Sequence, residues 1–228
     1  FFTHLNYLMQ SESKELRACA THIVFAVAKS IIDFKEAQQS CKQNVFNSIF
    51  AATNSPFKDV SLTAFTSFLP LLAGGTAKHI DSGWMTILTI LKSVWIGKFS
   101  ENIENGFRIL NFICRDCLRD VNINWIEFLL STINTYISQR EEINTSLGAV
   151  NLFWDIASGI VPISTPDHIR VWKSLFRTLQ RNFKDNRQNV VIATLGTFFN
   201  IVSTFKPQFP DDLQLFVVND VFEPLFDT

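Results

Sequence analysis

The chain has 228 residues and a net charge of −1, and 47% of its residues are hydrophobic while only 18% are charged. A charge this close to zero excludes a global attraction to nucleic acid or acidic membranes, so any charged surface must be local. The 8 Gly and 7 Pro are too few for a sheet sandwich with many tight turns. The longest apolar stretches are interrupted by Thr, Lys and Ser and fall short of the ~20 residues that span a bilayer, so we expect no membrane span.

Apolar residues recur at steps of three and four along most of the chain, which is the period of an amphipathic helix. Five such series begin at Leu16, Leu62, Phe107, Leu147 and Ile192. These marker positions are 40–46 residues apart. A period of about 40–47 residues is that of two-helix HEAT or armadillo units. The five series therefore predict the second helices of successive hairpins.

The segments between these series supply the first helix of each pair. We predict these first helices at Gln43–Ala52, Ser82–Ile96, Trp125–Ser138, His168–Phe183 and Leu213–Leu225. Thr165-Pro166 is typical of a helix start, with a capping threonine before a proline in the first turn. Asp185 with Gln188 resembles a capping box, and Gly74-Gly75 indicates a break between helices.

These patterns predict an all-α fold, an α-solenoid of HEAT/armadillo-like helical hairpins with about five repeats. One hairpin buries only one side of each helix, so we interpret the 23 Phe as core between repeats. No linker-like segment interrupts the pattern, which predicts a single continuous array over residues 1–228. Because the chain begins at Phe1 and not at Met, we expect it to be a fragment of a longer protein.

The cysteine pattern offers no metal or redox site. Cys114 and Cys117 form a lone CxxC inside an apolar helical stretch. A zinc site would need a second ligand pair, and a thioredoxin-like motif would need a preceding strand. We interpret the pair as buried free thiols, which fits a reducing, cytosolic compartment.

Catalytic and cofactor motifs are also missing from the sequence. There is no GxxxxGK[ST] phosphate loop, no GxSxG elbow and no HExxH metal motif. We therefore expect no enzymatic activity, no cofactor, no metal and no nucleic-acid partner.

One charge pattern stands out in the predicted helix His168–Phe183. Five basic residues are spaced by three and four positions and so share one face, which we call the basic stripe: Arg170, Lys173, Arg177, Arg181 and Lys184. Apolar residues occupy the opposite face. The simplest interpretation is the solvated face of an amphipathic helix. The functional hypothesis is a surface that docks an acidic partner protein or anionic lipid headgroups.

Two segments resemble a known protein family: Asp81-Ser-Gly-Trp-Met-Thr-Ile-Leu88, and Asn144–Ala157 with its Ser-Leu-x-x-x-x-Leu-Phe-Trp pattern. They are similar to the repeats downstream of the Sec7 domain in large Arf exchange factors. Within that group they most resemble the Mon-two (Ysl-two) family of Sec7-related Golgi and endosome scaffolds, which lack the catalytic domain. The resemblance extends from about Val60 to Thr204. We expect its motif residues to serve the fold, with Gly83 permitting a tight helix entry, Trp84 packing between hairpins, and Leu147 and Trp154 facing the core.

The resemblance implies a cytoplasmic protein that is peripheral on trans-Golgi and endosomal membranes. It also implies partners, namely a Dopey-type protein, an Arf-like small GTPase and a phospholipid flippase, with an anionic membrane surface as a further binding surface. Two alternatives stay open. In the first, the chain is the regulatory HEAT array of a Sec7-type Arf exchange factor. In the second, it is an unrelated solenoid adaptor such as a nuclear transport receptor.

Overall fold

The computed structural model describes residues 1–34, 36–96, 99–161, 163 and 165–225. All regular elements within these residues are helical. The chain divides into two compact units, residues 1–113 and 114–228, which are described separately below.

Unit 1 is a stack of three helical hairpins. Its helices are α1 (Phe2–Leu8), α2 (Lys14–Asp33), α3 (Gln39–Thr53), α4 (Lys58–Leu72), α5 (Gly83–Ser93) and α6 (Glu101–Phe112). Second helices pack on second helices, α2 on α4 and α4 on α6, while α3 packs on α5. A 3₁₀ segment, Ala73–His79, follows α4 and contains Gly74 and Gly75 at φ 77° and 93°. Such positive φ angles favour glycine, so the predicted helix break at this pair is confirmed.

Unit 2 contains two hairpins and the start of a third. Its helices are α7 (Ile123–Ser138), α8 (Ile143–Gly159), α9 (Pro166–Asn182), α10 (Gln188–Phe205) and α11 (Asp211–Phe216), the last continuing into the π-helical Val217–Phe222. Helix α7 packs on α9 and α8 packs on α10, while α11 and the π-helical segment pack on α9. As in unit 1, first helices pack on first helices and second helices pack on second helices.

The predicted all-α solenoid of about five helical hairpins is confirmed. Each of the five marker positions lies on the second helix of a hairpin, and each predicted first helix overlaps an observed one. Helix α1 was missed, because its seven residues are too few to display a helical period. That the two units form one continuous array stays a prediction.

The marker positions identify the repeats but do not mark the core. Leu16 is 48% exposed and Ile192 is 59% exposed. In α10 the buried positions include Val190, Thr194 and Phe198, which share a different face from Ile192. The first residues of these series therefore mark the repeat length and not the buried face of each helix.

Side-chain contacts recur one repeat apart within each unit. Asn102 Nδ2 donates to Ser61 Oγ at 2.8 Å across 41 residues of sequence in unit 1. In unit 2, Asn182 Nδ2 donates to Asn134 Oδ1 at 2.8 Å across 48 residues, and Arg115 pairs with Asp155 across 40. Contacts at this spacing are what stacked hairpins require, since each repeat touches mainly its neighbours.

Two helical stretches, Lys58–His79 and Gln188–Gln208, are long and apolar enough to cross a membrane by length and composition. Half of the first window and a third of the second is buried within the fold. The sequence expectation overlooked both stretches, because it counted only uninterrupted apolar runs. Packing of α4 against α2 and α6 accounts for the apolar character of the first stretch. Length and composition alone do not separate such a core helix from a membrane span.

Candidate partner-binding surface

Helix α9 is firmly anchored at its start and along its inner face. Thr165 accepts a hydrogen bond from the backbone N–H of His168 at 3.4 Å, and Pro166 lies in the first turn, so the predicted helix start is confirmed. Trp172 and Phe176 are fully buried. Their rings pack edge-on against Phe209 at centroid distances of 5.0 and 5.8 Å. The basic stripe is therefore displayed on a helix with little freedom to rotate.

The cations at the N-terminal end of the stripe already have partners. Arg170 lies 3.5 Å from Glu127 on α7 and 3.4 Å from Asp167. Lys173 lies 3.5 Å from Asp212 on α11. Pairs this exposed contribute about 0–1 kcal/mol each. They nevertheless cancel the positive charge at this end of the helix and link α9 to both neighbouring helices.

The middle of the stripe packs on an aromatic ring. The guanidinium carbon of Arg177 lies 5.1 Å from the centroid of the Phe216 ring, and Lys173 Nζ lies 5.5 Å from the same centroid. Both distances are within the range of a cation–π contact. Arg177 keeps its charge but is held against α11.

The C-terminal end of the stripe differs from the rest. Arg181 and Lys184 are exposed, and neither forms an ion pair with any residue in the described ranges. Lys184 lines a recess of about 370 Å³ between the turn that follows α7 and the turn that follows α9. We call it the basic recess, and its lining residues are Ser138, Arg140, Lys184, Asp185, Asn186 and Arg187. Two unpaired cations, Arg140 and Lys184, thus meet at one opening.

Arg187 at the back of the recess belongs to the fold. Its Nε and Nη2 donate to the two carboxylate oxygens of Asp185 at 2.9 and 2.8 Å. Its remaining N–H groups donate to Ile137 O at 2.5 Å, to Ser146 Oγ at 3.0 Å and to Gln139 O. All five guanidinium N–H groups are therefore in use. The hydrogen bond from Arg187 holds the pKa of Asp185 below its ordinary value.

The capping box predicted for Asp185 and Gln188 is wrong. Helix α10 has Arg187 at its N-cap position and no side-chain cap, and Gln188 is its first residue. The Asp185 carboxylate instead accepts from the backbone N–H and the side chain of Arg187. An aspartate two residues before an N-cap position can serve a turn as readily as a cap, and sequence spacing does not separate the two.

The first pair of family-motif residues is buried. Trp84 is 1% exposed, as expected for a residue that packs between hairpins. A Cβ on Gly83 would lie 2.1 Å from ring atoms of Phe46 on α3. Gly83 is thus required by close approach to the neighbouring hairpin, which is a more specific reason than the tight helix entry predicted for it.

The second pair of motif residues does not face the core as predicted. Leu147 is only half-buried, and Trp154 is 37% exposed with its ring 5.5 Å from that of Phe205. Residues seven apart share one side of a helix, and in α8 that side is only partly covered, with Phe205 of α10 packed against it. Val150 and Phe153 supply the buried face instead.

The chemistry expected from the cysteines agrees with their surroundings. Cys114 and Cys117 are free and buried. Burial raises the pKa of both thiols, that of Cys117 to about 12, so neither is a thiolate at neutral pH. Among the described residues, no group of three or more His, Cys, Asp or Glu side chains is arranged to hold a metal.

Arg140 is the residue of this surface that sequence reasoning missed. It lies in the turn between α7 and α8, outside the helix that carries the stripe. The signal that could have found it is the repeat itself, since Arg140 precedes Lys184 by about one repeat length. Residues one repeat apart occupy equivalent places on neighbouring hairpins.

Comparisons with known proteins give two relatives of low identity. "Protein MON2 homolog" of Caenorhabditis briggsae is 22% identical over 209 residues, and "Monensin-resistant homolog 2" of Caenorhabditis elegans is 21% identical over 210 residues. Each match covers 88% of this chain and 13% of the relative, so the chain spans a small part of their length. No family model matches the chain.

Among solved structures, an engineered protein is similar with a TM-score of 0.46 and 13% identity, over 89% of this chain and 96% of that one. A similarity at this score carries no further inference. The two sequence relatives cover most of the chain, and the family that they name is the one that the Ser-Gly-Trp and Leu-Phe-Trp segments predicted. The chain is therefore related in sequence to the MON2 homologs, and its resemblance to the Mon-two family is confirmed.

Proposed function

We propose that the chain is a non-catalytic scaffold segment that binds other proteins in Golgi–endosome vesicular traffic. The observation that supports this most is the stack of helical hairpins in a chain related to MON2 homologs over 88% of its length. Stacked hairpins offer long, fixed surfaces built from equivalent positions of successive repeats, and such surfaces suit protein binding.

The partners in this proposal are a Dopey-type protein, an Arf-like small GTPase and a phospholipid flippase. The location is the cytoplasmic face of trans-Golgi and endosomal membranes. Both follow from the family resemblance. Because the chain spans only 13% of the relatives' length, partners and location belong to the whole protein, of which this segment supplies one part.

The basic stripe is the surface that we propose for partner binding. Its five residues are Arg170, Lys173, Arg177, Arg181 and Lys184. The three nearer the start of α9 contact Glu127, Asp167, Asp212 or Phe216. The two at the end carry charge that a partner can still neutralise, which supports a role for that end.

The experiment is affinity purification of the full-length protein, with and without this segment, followed by mass spectrometry of the bound proteins. We expect removal of residues 1–228 to abolish recovery of at least one partner, the Dopey-type protein first. Recovery of every partner after the deletion would contradict a binding role and leave the segment as a spacer. A Sec7 domain upstream in the same full-length chain would favour the exchange-factor alternative.

A further inference from the structure

We propose that the basic recess docks the acidic side chains of a partner protein, with Arg140 and Lys184 as its main contacts and with Arg181, in the last turn of α9, as a further exposed cation. This inference rests on the scaffold function proposed above and names the part of the surface that binds and the chemistry of its partner. It also narrows the five-residue stripe to its C-terminal end and adds a residue from the preceding hairpin.

The shape of the recess suits an inserted side chain. It lies where the first helices of two consecutive hairpins end, α7 at Ser138 and α9 at Asn182. Its volume of about 370 Å³ is enough for one or two carboxylate side chains and their backbone. A partner bound there would bridge two repeats, which is how stacked hairpins present composite surfaces.

The positive charge of Arg140 and Lys184 is available to a partner because Asp185 is already paired with Arg187 within the fold. Asp185 is neutralised mainly by Arg187, whose N–H groups are all donated within the fold, and Arg140 adds only a smaller electrostatic contribution. Arg140 and Lys184 remain exposed, with no ion pair in the part of the chain that the structure describes. Carboxylates are therefore attracted to a local positive charge, although the net charge of the chain is −1.

The surrounding acids favour a protein segment over a lipid surface. Glu141 and Glu142 are exposed in the same turn as Arg140. A bilayer would approach the whole edge of the hairpins and would bring anionic headgroups against these carboxylates. An acidic side chain that enters the recess meets Arg140 and Lys184 beside an Asp185 carboxylate that is already paired with Arg187.

The test measures binding of a fluorescein-labelled twelve-residue peptide of Asp and Glu to the 228-residue chain by fluorescence anisotropy, at low and at physiological salt. A peptide with Asn and Gln in place of the acids controls for charge. The variant is Arg140→Glu with Arg181→Glu and Lys184→Glu. A matched control reverses three exposed lysines elsewhere, Lys14, Lys78 and Lys206, and so changes the net charge equally.

We expect the wild type and the matched control to bind the acidic peptide with Kd values within about twofold, and the recess variant to bind at least about tenfold more weakly. Added salt should weaken wild-type binding. An equal loss of peptide affinity in both triple variants would mean that net charge alone attracts the peptide. Peptide binding by the recess variant that equals that of the wild type would exclude the recess as the binding site. Either result overturns the proposal. If the recess variant fails to fold by circular dichroism, Arg140→Gln with Lys184→Gln takes its place.

The second part of the test measures sedimentation of the same proteins with vesicles of phosphatidylcholine and phosphatidylserine. If the wild type and the matched control sediment with the vesicles, the recess variant does not, and all three bind the peptide equally, a lipid surface is the occupant. That result would reject the protein partner. Failure of peptide binding leaves the scaffold function intact, because that function is tested by partner recovery after deletion of the whole segment.

Discussion

The two units follow the same stacking rule but use their cations differently. In unit 1, Arg17, Lys42 and Lys58 each pair with an acid one repeat further along the chain: Asp59, Asp81 and Glu101. In unit 2, Arg115 pairs with Asp155 one repeat further along, and Arg170 pairs with Glu127 one repeat earlier. Three further cations of unit 2 are exposed and have no ion pair among the described residues: Arg140 and Lys184, which line the basic recess, and Arg181 in the last turn of α9.

This difference separates cations that stabilise the stack from cations that are free to bind. A buried or saturated guanidinium holds turns of neighbouring repeats together and is unavailable to a partner. An exposed, unpaired cation adds little to stability and keeps its charge for binding. The predictions below are ordered from the largest expected effect to the smallest.

The arginines that stabilise the stack should give the largest losses. Arg17 donates to Ser11 O and Glu12 O at 2.8 and 2.9 Å and pairs with Asp59, and Arg187 binds Asp185 and three further groups. Arg17→Ala and Arg187→Ala should each lower the free energy of unfolding by about 3 kcal/mol, because carbonyls and a carboxylate lose their partner. Urea denaturation measures this.

Arg108→Ala is the control for both changes. Arg108 forms an exposed i, i+4 pair with Glu104, and its loss should change the free energy of unfolding by less than about 0.5 kcal/mol. If Arg17→Ala or Arg187→Ala lowers the free energy of unfolding by less than about 1 kcal/mol, that arginine contributes no more to stability than an exposed ion pair does.

The same substitution at two glycines should have opposite effects in the two units. Gly83→Ala in unit 1 forces a methyl group against Phe46, which is 2% exposed, and should cost about 1–3 kcal/mol. Gly196→Ala in α10 meets open space and should stabilise the chain by up to about 1 kcal/mol. Thermal unfolding compares the two variants directly. A neutral Gly83→Ala would mean that the hairpins do not approach as closely as described.

The Asp185–Arg187 pair predicts a loss of stability in acid. The pKa of Asp185 is lowered in the folded chain, so its stabilisation is present above the ordinary aspartate pKa of about 3.9 and is lost as pH falls through the lower folded value. Asp185→Asn removes this contribution. The stability difference between wild type and Asp185→Asn should be constant above pH 5 and shrink below pH 4. A difference that does not vary with pH would contradict the pairing.

The four free cysteines should divide by unit in their reactivity. Cys19 and Cys41 are exposed, whereas Cys114 and Cys117 are buried and their thiol pKa values are raised. At pH 8 a disulfide reagent should modify two thiols quickly and the other two at least about tenfold more slowly. Cys19→Ser with Cys41→Ser should remove the fast phase. Persistence of a fast phase in that variant would place a buried thiol at the surface.

The sequence predicted the repeats better than it predicted the roles of single residues. Hydrophobic period and spacing sufficed for the hairpins, because each second helix repeats a common pattern. They misassigned Trp154 to the core, since an apolar residue on a partly exposed side of a helix keeps the same period as one on the buried side.

The basic stripe was likewise predicted only in part. Spacing placed its five residues on one face of α9, but it could not indicate that Glu127 and Asp212 neutralise one end. Those acids come from neighbouring hairpins, as does Arg140. Partners across hairpins depend on how the repeats stack, which a periodic pattern within one helix does not contain.

The most direct test of the division among the cations of unit 2 is the free energy of unfolding of the triple variant Arg140→Glu, Arg181→Glu, Lys184→Glu, measured beside Arg187→Ala in urea. If the three cations are free for a partner, the triple variant should lose no more than about 1.5 kcal/mol, the sum expected of three surface substitutions, while Arg187→Ala loses about 3 kcal/mol. A triple variant as unstable as Arg187→Ala would contradict the account, because the cations of the recess would then belong to the fold.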